Sequence, residues 1–363
     1  MKIGIIGTRG VPNHYGGFEQ FAEYLSLGLV ERGHEVIVYN SNDHPYQESL
    51  WNGVKIIHCY DPEDKIGTAG QFIYDFNCIL DSRKRGFDII LQLGYTSSSI
   101  WGWLLPRKKT VVTTNVDGLE WKRTKFSPKV KRFLKYAEKL GVKCSDHLIS
   151  DSIGIQDYLK NTYQKDSRYI PYGADLFTDP DKSFLEDYGL EEQQFSMLIA
   201  RLEPENSIEM ILDGVVEAEH NEKFLVIGKH KTKFGEYLKE KFKAQNNIIF
   251  IGGVYDINIL NNLRHFSRLY FHGHTVGGTN PSLLEAMASQ ALIAANKNIF
   301  NESILEDNAF YFDNAKEVCQ LLKTIDKAVY KNILEANNNK ITQTFSWNLI
   351  VDQYEQHFKQ ILI

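Results

Sequence analysis

Leu269-Tyr270-Phe271-His272-Gly273-His274-Thr275-Val276-Gly277-Gly278-Thr279-Asn280-Pro281-Ser282-Leu283-Leu284-Glu285-Ala286-Met287-Ala288 is the stretch that decides the architecture. A short apolar run, 269–272, reads as a buried strand. It gives way to a glycine turn, and Asn280 followed by Pro281 has the chemistry of a helix start, an amide cap and a ring that needs no N–H. Strand, glycine turn and helix form the repeating unit of an α/β sheet. Free backbone N–H groups at that helix start, approachable because Gly277 and Gly278 carry no side chains, suit an anion such as a diphosphate. Glu285 lies about one turn inside, within reach of a ribose diol. A plain tight turn with a solvated glutamate is the rival reading, and spacing does not separate the two.

Working outward, the same unit recurs. Segments 195–200, 223–228, 248–252 and 292–295 are further strands of the second half. Arg201 stands at the carboxyl end of the first of them, where a guanidinium can grip phosphate oxygens as a fork. The first half opens on Lys2-Ile3-Gly4-Ile5-Ile6-Gly7 and continues with a helix over 17–32 that Gly33 stops. Strands follow at 36–39, 54–58, 88–93, 110–114 and 146–150, with helices at 71–85, 128–142 and 153–163 between them. Two αβ repeats joined near 171–190 imply two Rossmann-like doubly wound domains facing across a cleft. The expected division is 1–172, 173–345, and a helix at 346–363 crossing back to the first domain. Fold alone does not choose the chemistry.

Composition limits the remaining possibilities. The 363 residues are 43% hydrophobic and 24% charged with 9 prolines, an ordinary globular balance. No run approaches the roughly 18 apolar residues of a membrane span, and the apolar start is too short for a signal peptide, so a cytoplasmic protein is expected. Cys59, Cys78, Cys144 and Cys319 match neither a zinc spacing nor a redox pair and are expected to be reduced. The net charge of −5 conceals a division: residues 1–170 hold 23 basic against 19 acidic groups, leaving 18 against 27 for the rest. Much of the excess lies in 122–143, with nine basic residues and one acid, Glu138. There Val130, Phe133, Leu134, Ala137 and Leu140 keep the spacing of a buried stripe. The opposite, cationic face would attract anionic lipid headgroups or a lipid diphosphate, the alternative being a merely solvated helix face. Nucleic acid is disfavoured, because the chain is acidic and the region lacks an aromatic platform.

The glycines of 7–17 do not form the G-x-G-x-x-G of a dinucleotide site, and the second strand ends near Asn40 instead of an acid, which argues against NAD. That loop is expected to lie flexibly at the end of the first strand. His272 and His274 form a His-x-His pair without a third ligand nearby in sequence, so no metal site is expected. The better reading is a polar wall.

Several segments in order resemble one family: Gly-Gly-Phe-Glu at 16–19, Arg32-Gly33-His34-Glu35-Val36, Ile170-Pro171-Tyr172-Gly173-Ala174-Asp175, Arg201-Leu202, Glu285-Ala286-Met287 and Phe345-Ser346-Trp347. The chain is similar to nucleotide-sugar glycosyltransferases of the GT-B fold, glycosyltransferase family 4. Gly7 to Pro12, Tyr15 to Glu19, Asn115 to Arg123 and Gly277 to Glu285 look like the subgroup containing rhamnosyltransferases of bacterial capsule and O-antigen assembly. The resemblance implies a retaining enzyme, without cofactor or metal, that moves a sugar from a dTDP- or UDP-linked donor to a saccharide acceptor, expected to be lipid-linked, at the inner face of the membrane. It implies donor contacts from Gly16, Gly17, Arg201, Asn206, His274, Gly277, Gly278, Thr279 and Glu285, with the base near Gly252-Gly253-Val254. Arg9, Tyr15 and Glu120 fall on the acceptor side, and Asp117 occupies the place of a histidine near the reacting carbons. Asp117, Arg201 and Glu285 are thus the candidate catalytic groups. Two departures stand out: the family's first glutamate falls on Gly277 and its phosphate lysine on Asn206. They keep open a nucleotide-sugar-binding protein with impaired catalysis, and another GT-B enzyme such as an epimerase is a further alternative.

Overall fold

The computed structural model describes residues 1–362 except Tyr15, Asp117, Lys125 and His220. The chain divides into two compact units, one made of Met1–Trp121, Phe126–Gly173 and Trp347–Ile363, the other of Lys122–Lys125 and Ala174–Ser346. Each is built on its own sheet.

The first unit contains strands β1 (Lys2–Ile6), β2 (Glu35–Ser41), β3 (Leu50–Trp51), β4 (Val54–Cys59), β5 (Ile89–Leu93), β6 (Val111–Val116), β7 (His147–Ser150) and β8 (Arg168–Tyr169). Its helices are α1 (Gly17–Glu31), α2 (Glu63–Ile66), α3 (Gly70–Ser82), α4 (Pro128–Cys144), α5 (Ile153–Tyr163) and a closing helix over Trp347–Ile361. The sheet order is β3-β4-β2-β1-β5-β6-β7-β8, parallel apart from the β3–β4 hairpin. That hairpin turns on Asn52 and Gly53, both at positive φ, the conformation a two-residue turn demands. The central strands are apolar on both faces, as in β1, where Ile3, Ile5 and Ile6 are all buried, because helices cover both sides of the sheet. Helix α1 turns Phe21, Ala22, Leu25 and Leu29 inward. Against it lies the closing helix, with Trp347 stacked on Tyr24 at 4.3 Å and Tyr354 against Phe21 at 5.2 Å. Gly28 permits this approach, since a Cβ there would meet Val351 at 2.8 Å.

The second unit contains β9 (Phe195–Ile199), α6 (Ile208–Glu217), β10 (Lys223–Ile227), α7 (Lys233–Lys241), β11 (Ile248–Gly252), α8 (Ile257–Phe266), β12 (Tyr270–His272), α9 (Pro281–Ala288), β13 (Ile293–Asn296), α10 (Ile299–Leu305), β14 (Phe310–Phe312), α11 (Ala315–Thr324) and α12 (Lys331–Lys340). Its sheet runs β11-β10-β9-β12-β13-β14, with every pairing parallel. Leu198, Phe224, Val226, Phe271 and Phe312 anchor its core. Both units are therefore doubly wound Rossmann-like domains.

Two sequence expectations need correction. In α4 the buried positions are Leu134, Ala137, Glu138, Gly141 and Val142, while Val130 and Phe133 are exposed. The stripe is turned by part of a helical turn from the expected one and takes in Glu138, whose carboxylate is met inside by Tyr95, Trp121, Tyr158 and Tyr163. The loop after β1 is fastened, not loose: Asn40 accepts from Val11 N at 3.1 Å and donates to its carbonyl at 2.8 Å. Tyr74 Oη also donates to the Thr8 carbonyl at 2.8 Å.

Candidate functional site

In a doubly wound sheet ligands collect where strand order reverses, outside the carboxyl ends of the strands. In the second unit that point lies between β9 and β12, which pair directly. The loops leaving these two strands are tied together. Thr275 donates to the Glu205 carbonyl from its backbone N at 3.2 Å and from Oγ1 at 2.7 Å. A Cβ at Gly273 would lie 2.2 Å from the Asn206 carbonyl oxygen, so only glycine lets the loops meet this closely. Asn206 is buried and its Nδ2 donates to the Arg201 carbonyl at 2.7 Å, which fixes the turn that carries Arg201. Arg201 itself is exposed.

Helix α9 starts as its sequence indicates. Asn280 Oδ1 accepts from Ser282 N at 2.9 Å and Pro281 takes the first helical position. Gly277 has φ +143, a conformation that L side chains rarely adopt, with open space around it. A glutamate would be strained in this conformation. Gly278 is partly exposed and Thr279 is buried.

Glu285 is one turn in, and its Oε2 accepts from Arg264 Nη2 at 2.7 Å. Arg264 is fully buried on α8 and also donates to Ser282 Oγ at 3.0 Å and to Asn261 Oδ1 at 2.9 Å. Tyr270 Oη meets the same Ser282 hydroxyl at 2.9 Å, and the guanidinium lies 5.9 Å from the Tyr270 ring centre. The glutamate is thus held by a buried cation and not left to wave in solvent. Sequence reasoning missed Arg264, although it sits at i+4 from Leu260 and beside Leu263, inside the apolar stripe of α8. A charge at such a position needs a partner.

His272 and His274 stack at 4.4 Å between ring centres. Burial pushes the His272 imidazole well down from its ordinary range. His274 falls to about 3, through burial first and then the positive charges of Arg201 and Arg123. Both rings are neutral at physiological pH, and His272 Nδ1, His272 Nε2 and His274 Nδ1 are buried without a hydrogen-bond partner among the described residues. Among the described residues no group of three or more side chains is placed to hold a metal ion. Val254 is partly exposed just beyond β11, after Gly252 at φ +98.

Strand order in the first unit reverses between β1 and β5. A Cβ at Gly7 would come within 2.3 Å of the Leu93 carbonyl oxygen at this point. Arg9 follows, its guanidinium forked onto the Glu63 carboxylate at 2.8 to 3.1 Å. Gly16 caps α1 and Gly17 is its first residue. The buried Glu19 accepts from Thr8 Oγ1 at 3.1 Å and Arg9 N at 2.9 Å, joining the loop to the helix start, where a carboxylate is favoured. Glu120 is partly exposed, and its neighbour Trp121 donates through Nε1 to Glu138 at 3.0 Å. Tyr15 and Asp117, expected on the acceptor side and near the reacting carbons, lie outside the described residues.

Comparison with known proteins follows the same division. Residues 182–344 match the family described as glycosyl transferases group 1, and residues 1–175 match a domain of unknown function, DUF1972. No curated protein sequence matches the chain. Similar solved structures include sucrose-phosphate synthase from Thermosynechococcus elongatus, at 16% identity and a TM-score of 0.78, covering 99% of this chain and 98% of that one. HepE of Anabaena, in complex with UDP and glucose, aligns at 15% identity and a TM-score of 0.78 over 99% of both chains. The UDP-forming α,α-trehalose-phosphate synthase of Burkholderia xenovorans aligns at 11% identity and a TM-score of 0.75, covering 99% of this chain and 100% of that one. At these identities the likeness is one of fold. The group 1 match supplies the chemistry, and with two parallel-sheet Rossmann-like units the chain is a glycosyltransferase of the GT-B fold.

Proposed function

We propose that the chain is a retaining family 4 enzyme that transfers a sugar, L-rhamnose being the reading of its motifs, from a UDP- or dTDP-linked donor to a lipid-linked saccharide in cell-surface polysaccharide assembly. The observation that carries the donor assignment is the convergence at one switch point of exposed Arg201, the glycine-rich start of α9 and a ribose-length carboxylate, Glu285, fixed by Arg264. Arg201 and the amides of Gly277, Gly278 and Thr279 take the diphosphate, Glu285 the ribose, His274 the sugar, and the backbone near Val254 the base. HepE binds UDP and the trehalose-phosphate synthase forms it, which supports a uridine or related pyrimidine nucleotide.

In transfer with retention, the bond from C1 to the diphosphate oxygen breaks as the acceptor oxygen bonds C1 on the same face. The acceptor proton passes to the departing diphosphate. What the protein supplies is positive charge at the leaving group and correct placement of both substrates. Asp117 is assigned to the reacting carbons and Arg9, Tyr15 and Glu120 to the acceptor.

Membrane contact is assigned to α4. Its outer face carries exposed Val130, Phe133 and Tyr136 among Lys129, Arg132, Lys135 and Lys139, so apolar groups can enter an anionic interface that the cations attract. None of the described helices is long and apolar enough to cross a membrane.

Calorimetry across UDP-, dTDP- and GDP-sugars tests the donor assignment. One donor should bind at micromolar levels and slowly release free nucleoside diphosphate. Binding without release would identify a binding protein instead, and no binding to any of them would remove the donor assignment.

A further inference from the structure

The switch point of the second unit has a second guanidinium that the donor reading does not use. Lys122–Lys125 belong to this unit, although they lie far upstream of Ala174, where most of it begins. Thr124 Oγ1 donates to Glu205 Oε2 at 2.7 Å, and Arg123 Nη1 stands 4.0 Å from Glu205 Oε1. Glu205 is buried, and its own carbonyl receives both donors of Thr275 in the loop that leads to Gly277. Thr124, Glu205 and Thr275 therefore form one knot between the Arg201 turn and the glycine loop, and Arg123 is moored to it.

The contact to Glu205 is longer than those of two other arginine pairs among the described residues. Arg9 to Glu63 and Arg264 to Glu285 are hydrogen-bonded at 2.8 and 2.7 Å. At 4.0 Å, Glu205 holds Arg123 by charge and not by a hydrogen bond to this oxygen, and the Oε1 atom is buried without a hydrogen-bond partner. The Arg123 side chain keeps 18% of its surface exposed. Its charge reaches His274, three residues before Gly277, together with that of Arg201.

We propose that Arg123 is a second cation for the donor diphosphate, placed by Glu205 and acting with Arg201 at the start of α9. This rests on the donor site proposed above. A departing nucleoside diphosphate gathers negative charge that one exposed arginine only partly offsets, in a unit whose half of the sequence is acidic. A second guanidinium contributes most as that charge develops. The segment 122–125 then serves the donor, apart from the lipid-facing role assigned to the rest of the basic run.

The test is titration calorimetry with UDP and dTDP on the full chain and on Arg123→Gln and Arg123→Lys, with unfolding midpoints measured in parallel. Arg123→Gln should weaken nucleoside diphosphate binding at least tenfold with its midpoint unchanged, and Arg123→Lys should recover part of the loss. UMP or dTMP, with one phosphate fewer, should be affected less. Unchanged diphosphate affinity in Arg123→Gln, or a lowered midpoint with unchanged affinity, would overturn the proposal and leave Arg123 a structural pair to Glu205. A wild-type chain that binds neither nucleotide would instead overturn the donor site on which it depends.

Discussion

Replacing Arg264 by methionine isolates the contact on which the ribose assignment turns. Methionine fills much of the volume of the aliphatic stem but removes the guanidinium, leaving Glu285 without its 2.7 Å partner. Breaking a buried ion pair from one side costs about 3–5 kcal/mol, because the remaining charge stays desolvated. Glu285 keeps 18% of its side-chain surface in solvent, against 1% for Arg264, so water can repay part of that cost and the lower end, about 3 kcal/mol, applies. Ser282 retains Tyr270 as a partner, and Asn261 is partly exposed, so their share is small. Against a typical stability of about 5–15 kcal/mol, the variant remains folded but clearly weakened. Donor affinity should fall between about 10- and 100-fold, roughly 1.4–2.8 kcal/mol, as the carboxylate loses its fixed orientation. The double variant Arg264→Met/Glu285→Gln separates the two effects: neutralising the carboxylate should restore most of the stability while donor binding stays weak. Urea unfolding and donor calorimetry at one temperature measure both. The reasoning is refuted if Arg264→Met loses under about 1 kcal/mol, or if its donor affinity equals that of the wild type.

Glu138→Gln should destabilise the first unit by about 2–4 kcal/mol, because a buried carboxylate that accepts from Tyr95, Trp121, Tyr158 and Tyr163 becomes a neutral amide with a single acceptor oxygen. Tyrosine absorbance should show the ionisation of Tyr158, which burial and then Glu138 raise to about 12, moving downward in this variant. Gly277→Ala should cost about 1–3 kcal/mol through its positive φ and not through a clash, since nothing lies within 4 Å; an unchanged unfolding midpoint would contradict that conformation. His357 is lowered to about 4 by burial, then by His147 and Arg168, so between pH 4 and 6.5 the unfolded chain binds the proton more readily than the folded one. Stability is complete above that window and declines as pH falls through it. His357 alone should make the first unit about 2 kcal/mol weaker at pH 5 than at pH 7, and His357→Asn should flatten the slope by that amount.

What the sequence made legible follows from which interactions are local. Strands covered by helices on both faces appear as unbroken apolar runs, so β11 at Ile248–Gly252 matches its expected bounds. Helix α5 does too, because Ser152 caps it by accepting from Ile155 N. The start of α9 is equally local: Asn280 and Pro281 satisfy its first turn whatever surrounds them. The hairpin at Asn52-Gly53 carries as clear a signal, but its outer strand β3 is only two residues long at the sheet edge, too short to show a pattern. Arg264 and Glu138 were illegible for a different reason. Each occupies an i+4 position on a buried stripe, and periodicity assigns a charge to solvent when its partner lies elsewhere in the chain: Glu285 for the first, four aromatic residues from segments outside its own helix for the second. Glu19 adds a third case, a buried carboxylate at a helix start whose donors, Thr8 Oγ1 and Arg9 N, lie a loop away. All three fix a segment that carries a candidate ligand residue. A charge inside an apolar stripe is costly to bury, and the fold tolerates that cost where a side chain or loop must be held in one orientation. In this chain such misplaced charges point to the sites more directly than the exposed basic run of α4 does.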